Sequence, residues 1–287
     1  MLPYKTKPVL LGKIWGGSRL IHYNKNFIGI IGESIEFDGR VHDIPLVIKF
    51  IDAWDDLSIQ VHPDEKTVVK FKDGTCGKDE LWVVLDCYKD SYIYWGFNDN
   101  YDKKTIYEAA LDGSIINMLN KVNVSVGDCI FIPSGTVHAL GKGVLVYELQ
   151  QSSDVTYRLY DWGRLDKGKK RELHVEKAIE SIKPHNFKSF SDIINIYDME
   201  SKGHSLITIG NYQHFKAKFI SLKNQESIMQ GCDEVKILTV ISGQGFLNFK
   251  ENRILLKKGD TIVLPKVLNE CASIIGDDIL RYIEATI

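Results

Sequence analysis

Three short segments carry residue types that could together do chemistry. Gln60-Val61-His62-Pro63 places an amide and an imidazole two residues apart, and on a strand such residues share a face. Glu80 opens an apolar run behind the turn residues Gly77-Lys78-Asp79. His138 follows the turn Pro133-Ser134-Gly135-Thr136. Two imidazoles, a carboxylate and an amide oxygen make a three- or four-ligand set with room for water or substrate. Mixed nitrogen and oxygen donors suit Zn²⁺, although the same set could hold Fe²⁺. Either histidine alone reads as an ordinary turn or core residue; the joint pattern points to a metal. His22, His42, His174, His185, His204 and His214 lack such company and read as surface or packing residues.

Around this set stand further ionisable groups. Lys78 lies two residues before Glu80, on the same side of a strand, and could be an acid–base group or a phosphate contact. Glu148 is the nearest carboxylate that could act as a base. Both could equally be a structural ion pair. Arg158 could stabilise a developing oxyanion or grip a phosphate. Asp154, on the same side of an alternating strand, is expected to orient it. Asp161-Trp162-Gly163-Arg164 reads as a turn on a barrel edge.

The elements that must position these residues are mostly strands. Ile44–Ala53, Leu57–His62, Glu80–Leu85, Ser91–Phe97 and Val144–Leu149 are rich in Val, Ile, Tyr and Trp. Asp102–Leu119 has apolar residues at helical spacing, with Asp102 as N-cap and Gly113 as an interruption. Glu172–Ile182 predicts a second helix, ended before Pro184. Pro184–Ser205 is polar and weakly periodic and reads as a linker. Strands resume at His214–Leu222, Val235–Ile241, Gly245–Phe249, Arg253–Leu256 and Thr261–Leu264, with Ser242-Gly243-Gln244-Gly245 as a turn.

The two strand-rich blocks share a motif: Val126–Pro133 reads VGDCIFIP and Lys258–Pro265 reads KGDTIVLP. Such self-similarity marks a duplicated unit. The motif resembles the second motif of cupin barrels, G-x5-P-x-G-x2-H, which the first block completes through Gly127, Pro133, Gly135 and His138. The second block keeps Gly259 and Pro265 but has no following histidine. The expectation is a mainly β chain of two cupin (jelly-roll) barrels in tandem with a few short helices. Residues 1–185 would form the metal-binding domain with a helical insertion, and 205–287 a degenerate barrel without metal.

A more specific resemblance rests on ordered motifs. Trp15-Gly16-Gly17, Gly32-Glu33-Ser34, Gln60-Val61-His62-Pro63, Gly77-Lys78-Asp79-Glu80, Gly135-Thr136-Val137-His138-Ala139 and the run Glu148–Arg158 follow in the order of type I mannose-6-phosphate isomerases. Their length resembles the short bacterial form. The resemblance is strong from Trp15 to about Arg164 and looser beyond. It implies one zinc held by His62, Glu80 and His138 with Gln60 as a further ligand, and an active-site arginine at Arg158. It implies interconversion of mannose 6-phosphate and fructose 6-phosphate through an enediol. Two departures stand out. Asp79 replaces a small residue, and Arg164 stands where longer relatives carry Lys, which leaves a phosphate contact there open. Rival readings are another metal-cupin enzyme (an oxygenase or epimerase) or a non-catalytic sugar-phosphate binder.

The bulk numbers narrow the partners. Lys and Arg total 36 against 38 Asp and Glu, a net charge of −2. That gives no global field for nucleic acid or an anionic membrane surface, so a phosphate must be caught locally. No run approaches the ~20 apolar residues of a membrane helix. Five scattered cysteines without a C-x-x-C pair fit reduced thiols in a cytoplasm. A monomer or homodimer is expected.

Overall fold

The computed structural model describes residues 2–183, 193–232 and 234–287. Three antiparallel sheets dominate it. A five-stranded sheet runs in the order Tyr157–Tyr160, Ile59–Val61, Val137–Leu140, Tyr92–Phe97, Leu119–Asn123. A seven-stranded sheet runs Ile194–Asn195, Asp128–Ile132, Glu80–Cys87, Val144–Gln151, Leu46–Asp52, Glu33–Asp38, Val9–Leu11. Seven of the eight strands of the third sheet come from the C-terminal part; the eighth is Tyr4–Lys5, which pairs with Thr261–Leu264. Among the described residues there are also four short α-helices: α1 (Glu65–Phe71), α2 (Lys103–Asp112), α3 (Val175–Ser181) and α4 (Ile196–Ser201).

Side-chain alternation explains the layering. Along Val144–Gln151, Leu145, Tyr147 and Leu149 join a core with Phe215, Phe219 and Ile283 of the C-terminal sheet. The alternate residues Val144 and Val146 join a second core with Ile93, Trp95 and Leu140 of the five-stranded sheet. Leu46–Asp52 and Glu80–Cys87 divide in the same way. The seven-stranded sheet is thus covered on both faces, which is why its strands read as nearly continuous apolar runs. Lys49, Glu80 and Glu148, charged residues within these runs, line the cavity between the five- and seven-stranded sheets.

The helices follow their caps. Asp102 accepts the Thr105 amide at 2.8 Å, and α2 ends at Gly113, whose φ of 85° stops the helix; a 3-10 turn, Ser114–Met118, continues it. α3 begins three residues later than expected. α1, not anticipated in the sequence, is started by Asp64, whose carboxylate accepts the Thr67 amide at 2.8 Å directly behind His62-Pro63.

Two expectations need correction. The linker expected at Pro184–Ser205 lies outside the described residues at 184–192, as does His185, and from Ile194 it contains a strand and α4. Asn195 folds that segment by capping α4 and hydrogen-bonding Asp128. Ser242-Gly243-Gln244-Gly245 is not a turn between two strands. It lies inside one long strand, Lys236–Phe249, where Gly243 at φ 77° absorbs a register shift.

The repeated motif keeps its local geometry. Gly127 and Gly259 take φ of 95° and 89°. In each block the following aspartate accepts the backbone amide three residues before it, Ser125 for Asp128 and Lys257 for Asp260, both at 2.7 Å.

Candidate active site

His62, Glu80 and His138 converge: one ligand atom from each lies within 4.8 Å of the others, and all three side chains are buried. His62 and His138 come from the five-stranded sheet or its end, and Glu80 from the start of a strand in the opposing sheet. The cluster therefore bridges the two layers.

Hydrogen bonds fix both imidazoles. His62 Nδ1 faces the Val155 carbonyl at 2.9 Å, and His138 Nδ1 faces the Thr136 carbonyl at 2.9 Å. A carbonyl only accepts, so each Nδ1 carries the proton and donates it. Each Nε2 then offers a lone pair to the centre, 3.2 Å from Glu80 Oε1 for His62 and 3.5 Å from Glu80 Oε2 for His138. Burial, and then the neighbouring positive groups, depress both imidazoles, His138 to about 3, so both stay neutral. Burial alone would raise Glu80, yet Lys78 and the two imidazoles hold it well below the usual carboxylate range. Glu80 Oε2 is buried without a hydrogen-bond partner. Two neutral nitrogen donors and an ionised carboxylate with an orphaned oxygen fit a borderline divalent metal such as Zn²⁺.

Gln60 lies beside this set, directly opposite both His138 and Arg158 across strand pairs. Its Oε1 accepts from Ser58 Oγ, and its Nε2 is 3.4 Å from His138 Nε2. A half-turn of the amide would bring the oxygen to the donor cluster.

Glu80 and Gln60 line a cavity of about 340 Å³ that collects the other expected residues, Lys78, Glu148 and Arg158. Lys78 Nζ is 2.7 Å from Glu80 Oε1 and 3.3 Å from His62 Nε2. Glu148 accepts from Trp82 Nε1 at 3.0 Å; burial, then the charge of Glu80, raises its pKa. Its other oxygen, Oε1, has no hydrogen bond and lies 3.6 Å from Lys49 Nζ. Arg158 reaches Ser58 Oγ and the Glu172 carbonyl.

Asp154 does not orient Arg158. It pairs with Arg40, which Asp38 also holds; the strand expected to carry Asp154 starts only at Tyr157, and the residue across the pair from Arg158 is Gln60. Arg164 turns to the Asp56 carbonyl and Asp161 and does not line the cavity. His174 has company after all: its Nδ1 accepts the Arg158 amide. Asp79 braces the ligand loops, its Oδ1 accepting from the Ser134 amide and its own amide donating to Gln151.

The sequence reading missed Lys13, Glu33, Arg40, Lys49 and Arg171, which also line the cavity. Lys49 was the most accessible of these. It is the lone cation inside IPLVIKFIDA, directly opposite Glu148 across a strand pair, and it reaches Glu33 as well.

Fold and donor set together define a cupin whose cavity can hold a metal ion. A scan against protein-family models finds no match for the chain. Among curated proteins it is 37% identical over 227 residues to mannose-6-phosphate isomerase ManA of Bacillus subtilis, covering 79% of this chain and 70% of that protein. It is 33% identical over 229 residues to mannose-6-phosphate isomerase of Streptococcus mutans, covering 78% and 69%. The crystal structure of the mannose 6-phosphate isomerase from Bacillus subtilis superposes with a TM-score of 0.85 at 28% identity, covering both chains fully. The chain belongs to the mannose-6-phosphate isomerase family.

Proposed function

We propose that the chain is a zinc-dependent aldose–ketose isomerase that interconverts mannose 6-phosphate and fructose 6-phosphate through an enediol. The observation that carries this reading is the buried His62–Glu80–His138 cluster, whose Glu80 shares a cavity with Lys78, Glu148 and Arg158, in a chain of this family. His62, Glu80 and His138 would hold the ion, with Gln60 as a further ligand. Bound zinc would polarise the oxygens of the reacting carbons.

The chain's own residues supply the rest. Glu148, made more basic by burial, would take the proton from carbon 2 of the aldose and return it to carbon 1. Lys78, beside the same oxygens, would pass the hydroxyl proton. Arg158, a cation across from Gln60, would stabilise the enediolate. Catalysis would belong to residues 1–185. Residues 205–287 would form a metal-free barrel that covers the seven-stranded sheet. A cytoplasmic location is part of this reading, supported by the free thiols Cys76, Cys87 and Cys129.

The test is to incubate zinc-loaded protein with mannose 6-phosphate in heavy water. Fructose 6-phosphate carrying deuterium at the exchanged carbon is the expected product. Zinc-loaded protein that binds the sugar phosphate without turnover, or an iron form that consumes oxygen, would replace this reading with one of its rivals.

A further inference from the structure

The cavity is electrostatically lopsided. Near the donor cluster, cations and carboxylates alternate: Lys78 pairs with Glu80, while Lys49 lies between Glu33 and Glu148. At the Arg158 side the balance fails. Arg158 and Arg171 both line the cavity. Among the described residues Arg158 has no carboxylate at ion-pair distance; it rests on the neutral Ser58 hydroxyl and the Glu172 carbonyl. Arg171 has one such partner, Asp161, through a single contact at 3.2 Å. Asp161 is shared, because Arg164 takes the same oxygen at 2.6 Å. The Glu172 carboxylate is 82% exposed, 3.9 Å from His174, and Asp154 is engaged by Arg40. Three guanidiniums therefore face one buried carboxylate, which leaves two uncompensated positive charges beside the cavity.

Guanidiniums held together repel, and burial weakens the water that would screen them. Burial, then Arg171, lower the Arg158 pKa, as expected for a cation crowded by a like charge. A dianion that presents several acceptor oxygens relieves this arrangement, and the planar fork of arginine suits phosphate. A phosphate monoester carries a charge of about −1.5 to −2 near neutral pH. The local surplus matches it, in a molecule whose net charge of −2 gives no general attraction for anions.

Building on the reading of the site as a sugar-phosphate isomerase, we propose that Arg171 is the guanidinium that holds the substrate phosphate, next to Arg158, which serves the enediolate. Asp161 is the positioning residue that aims it. Asp161 is buried, with Oδ1 committed to Arg164 and Arg171. Arg164 shares this anchor, but its Nη1 is spent on the Asp56 carbonyl and it stays outside the cavity. The arginine seven residues further along the chain is thus the one that meets the ligand. The strand pair Leu165–Asp166 and Lys169–Lys170 closes the hairpin that folds it back.

The test uses full-length, zinc-loaded protein with inorganic phosphate as probe, titrated calorimetrically and as a competitive inhibitor. Arg171→Ala is expected to weaken phosphate binding and raise KM by roughly tenfold to a hundredfold, the loss of charge-assisted hydrogen bonds, with kcat within about threefold. Asp161→Asn should raise both constants several-fold while the folded protein keeps its zinc. Arg164→Ala should leave phosphate affinity within about twofold, even if its melting temperature falls. Unchanged phosphate affinity in Arg171→Ala, or an equal loss in Arg164→Ala, overturns the assignment. Unchanged affinity in Asp161→Asn removes its positioning role. The two readings fail separately. Arg171-dependent phosphate binding without turnover would keep the subsite and remove the isomerase. Turnover with Arg171-independent phosphate affinity would do the reverse.

Discussion

His62 and His138 are set by backbone carbonyls rather than by other side chains, so their lone pairs are aimed before any ion arrives. Glu80 closes the set from the opposite sheet, and its loss removes one of few donors. Glu80→Ala is therefore expected to lower metal content sharply while the chain stays folded, and chelation should abolish activity that Zn²⁺ then restores. Metal analysis of the purified variant checks this; a full equivalent of zinc in Glu80→Ala would show that the donor set is wrong. Among the described residues Arg158 has no ion pair to lose, so its removal should cost little stability. Arg158→Ala is expected to keep its fold and zinc and lose at least about a hundredfold in kcat/KM. Arg158→Lys should recover little, since an ammonium lacks the planar fork. Melting temperature, zinc content and kinetics on one preparation decide the matter. An unstable variant with normal kcat/KM in its folded fraction would mark the arginine as structural.

At the scale of elements, the strands Leu46–Asp52, Glu80–Cys87 and Val144–Gln151 carry two jobs on alternate residues. One face supplies Lys49, Glu80 and Glu148 to the cavity, and the other supplies Phe50, Leu81 and Tyr147 to the core shared with the C-terminal sheet. Stability and chemistry are therefore separable by parity. Phe50 is fully buried on the core face. Phe50→Ala should destabilise by about 3–5 kcal/mol while the folded fraction retains its zinc stoichiometry. Denaturant melts paired with metal analysis read the two effects. Loss of zinc in protein that is still folded would mean that the two faces are coupled. This alternation was legible: Lys49 and Glu148 stand out as charges inside apolar runs. The start of α1 was harder to read, because Asp64 caps it directly behind a strand and leaves no loop to announce it.

For the whole molecule, acid should act through the same buried groups. In the metal-free protein His138 is held at about 3 against the ordinary 6.5 by burial and then by His62, and His62 is lowered in the same direction. The unfolded chain takes up protons below about 6.5 that the folded chain refuses. Stability must then fall as pH drops through that window toward 3. Glu80, also lowered, adds to the loss at the acid end. The melting temperature of the metal-free protein should decline from pH 7 to pH 5, and less steeply in His138→Gln. Equal slopes in the two proteins would contradict the depressed imidazole. Zinc should steepen the dependence, since protons compete with the ion for both Nε2 atoms. Among the described residues the His62, Glu80, His138 group is the one set of three or more His, Cys, Asp or Glu close enough to hold a metal. One zinc per chain is expected, and an anomalous-scattering peak in the C-terminal sheet would refute that.

The donor set, the strands that bear it and the duplicated Gly-Asp turn could be read from the sequence because each rests on short-range rules. Residues two apart on a strand share a face, and a glycine of positive φ followed by an aspartate makes the same turn wherever it occurs. Which charges meet across the cavity was decided only in the tertiary structure. Asp154 and Arg158 are close in sequence, yet the strand begins only at Tyr157 and Asp154 pairs with Arg40, 114 positions away. Arg164 lies nearer to Arg158 in the chain than Arg171 does, but Arg171 lines the cavity. The strand Tyr4–Lys5 joins the C-terminal sheet from the opposite end of the chain. Ion pairs and sheet edges are long-range choices, fixed by which surfaces pack together. A local pattern of residues carries no information about a partner a hundred positions off.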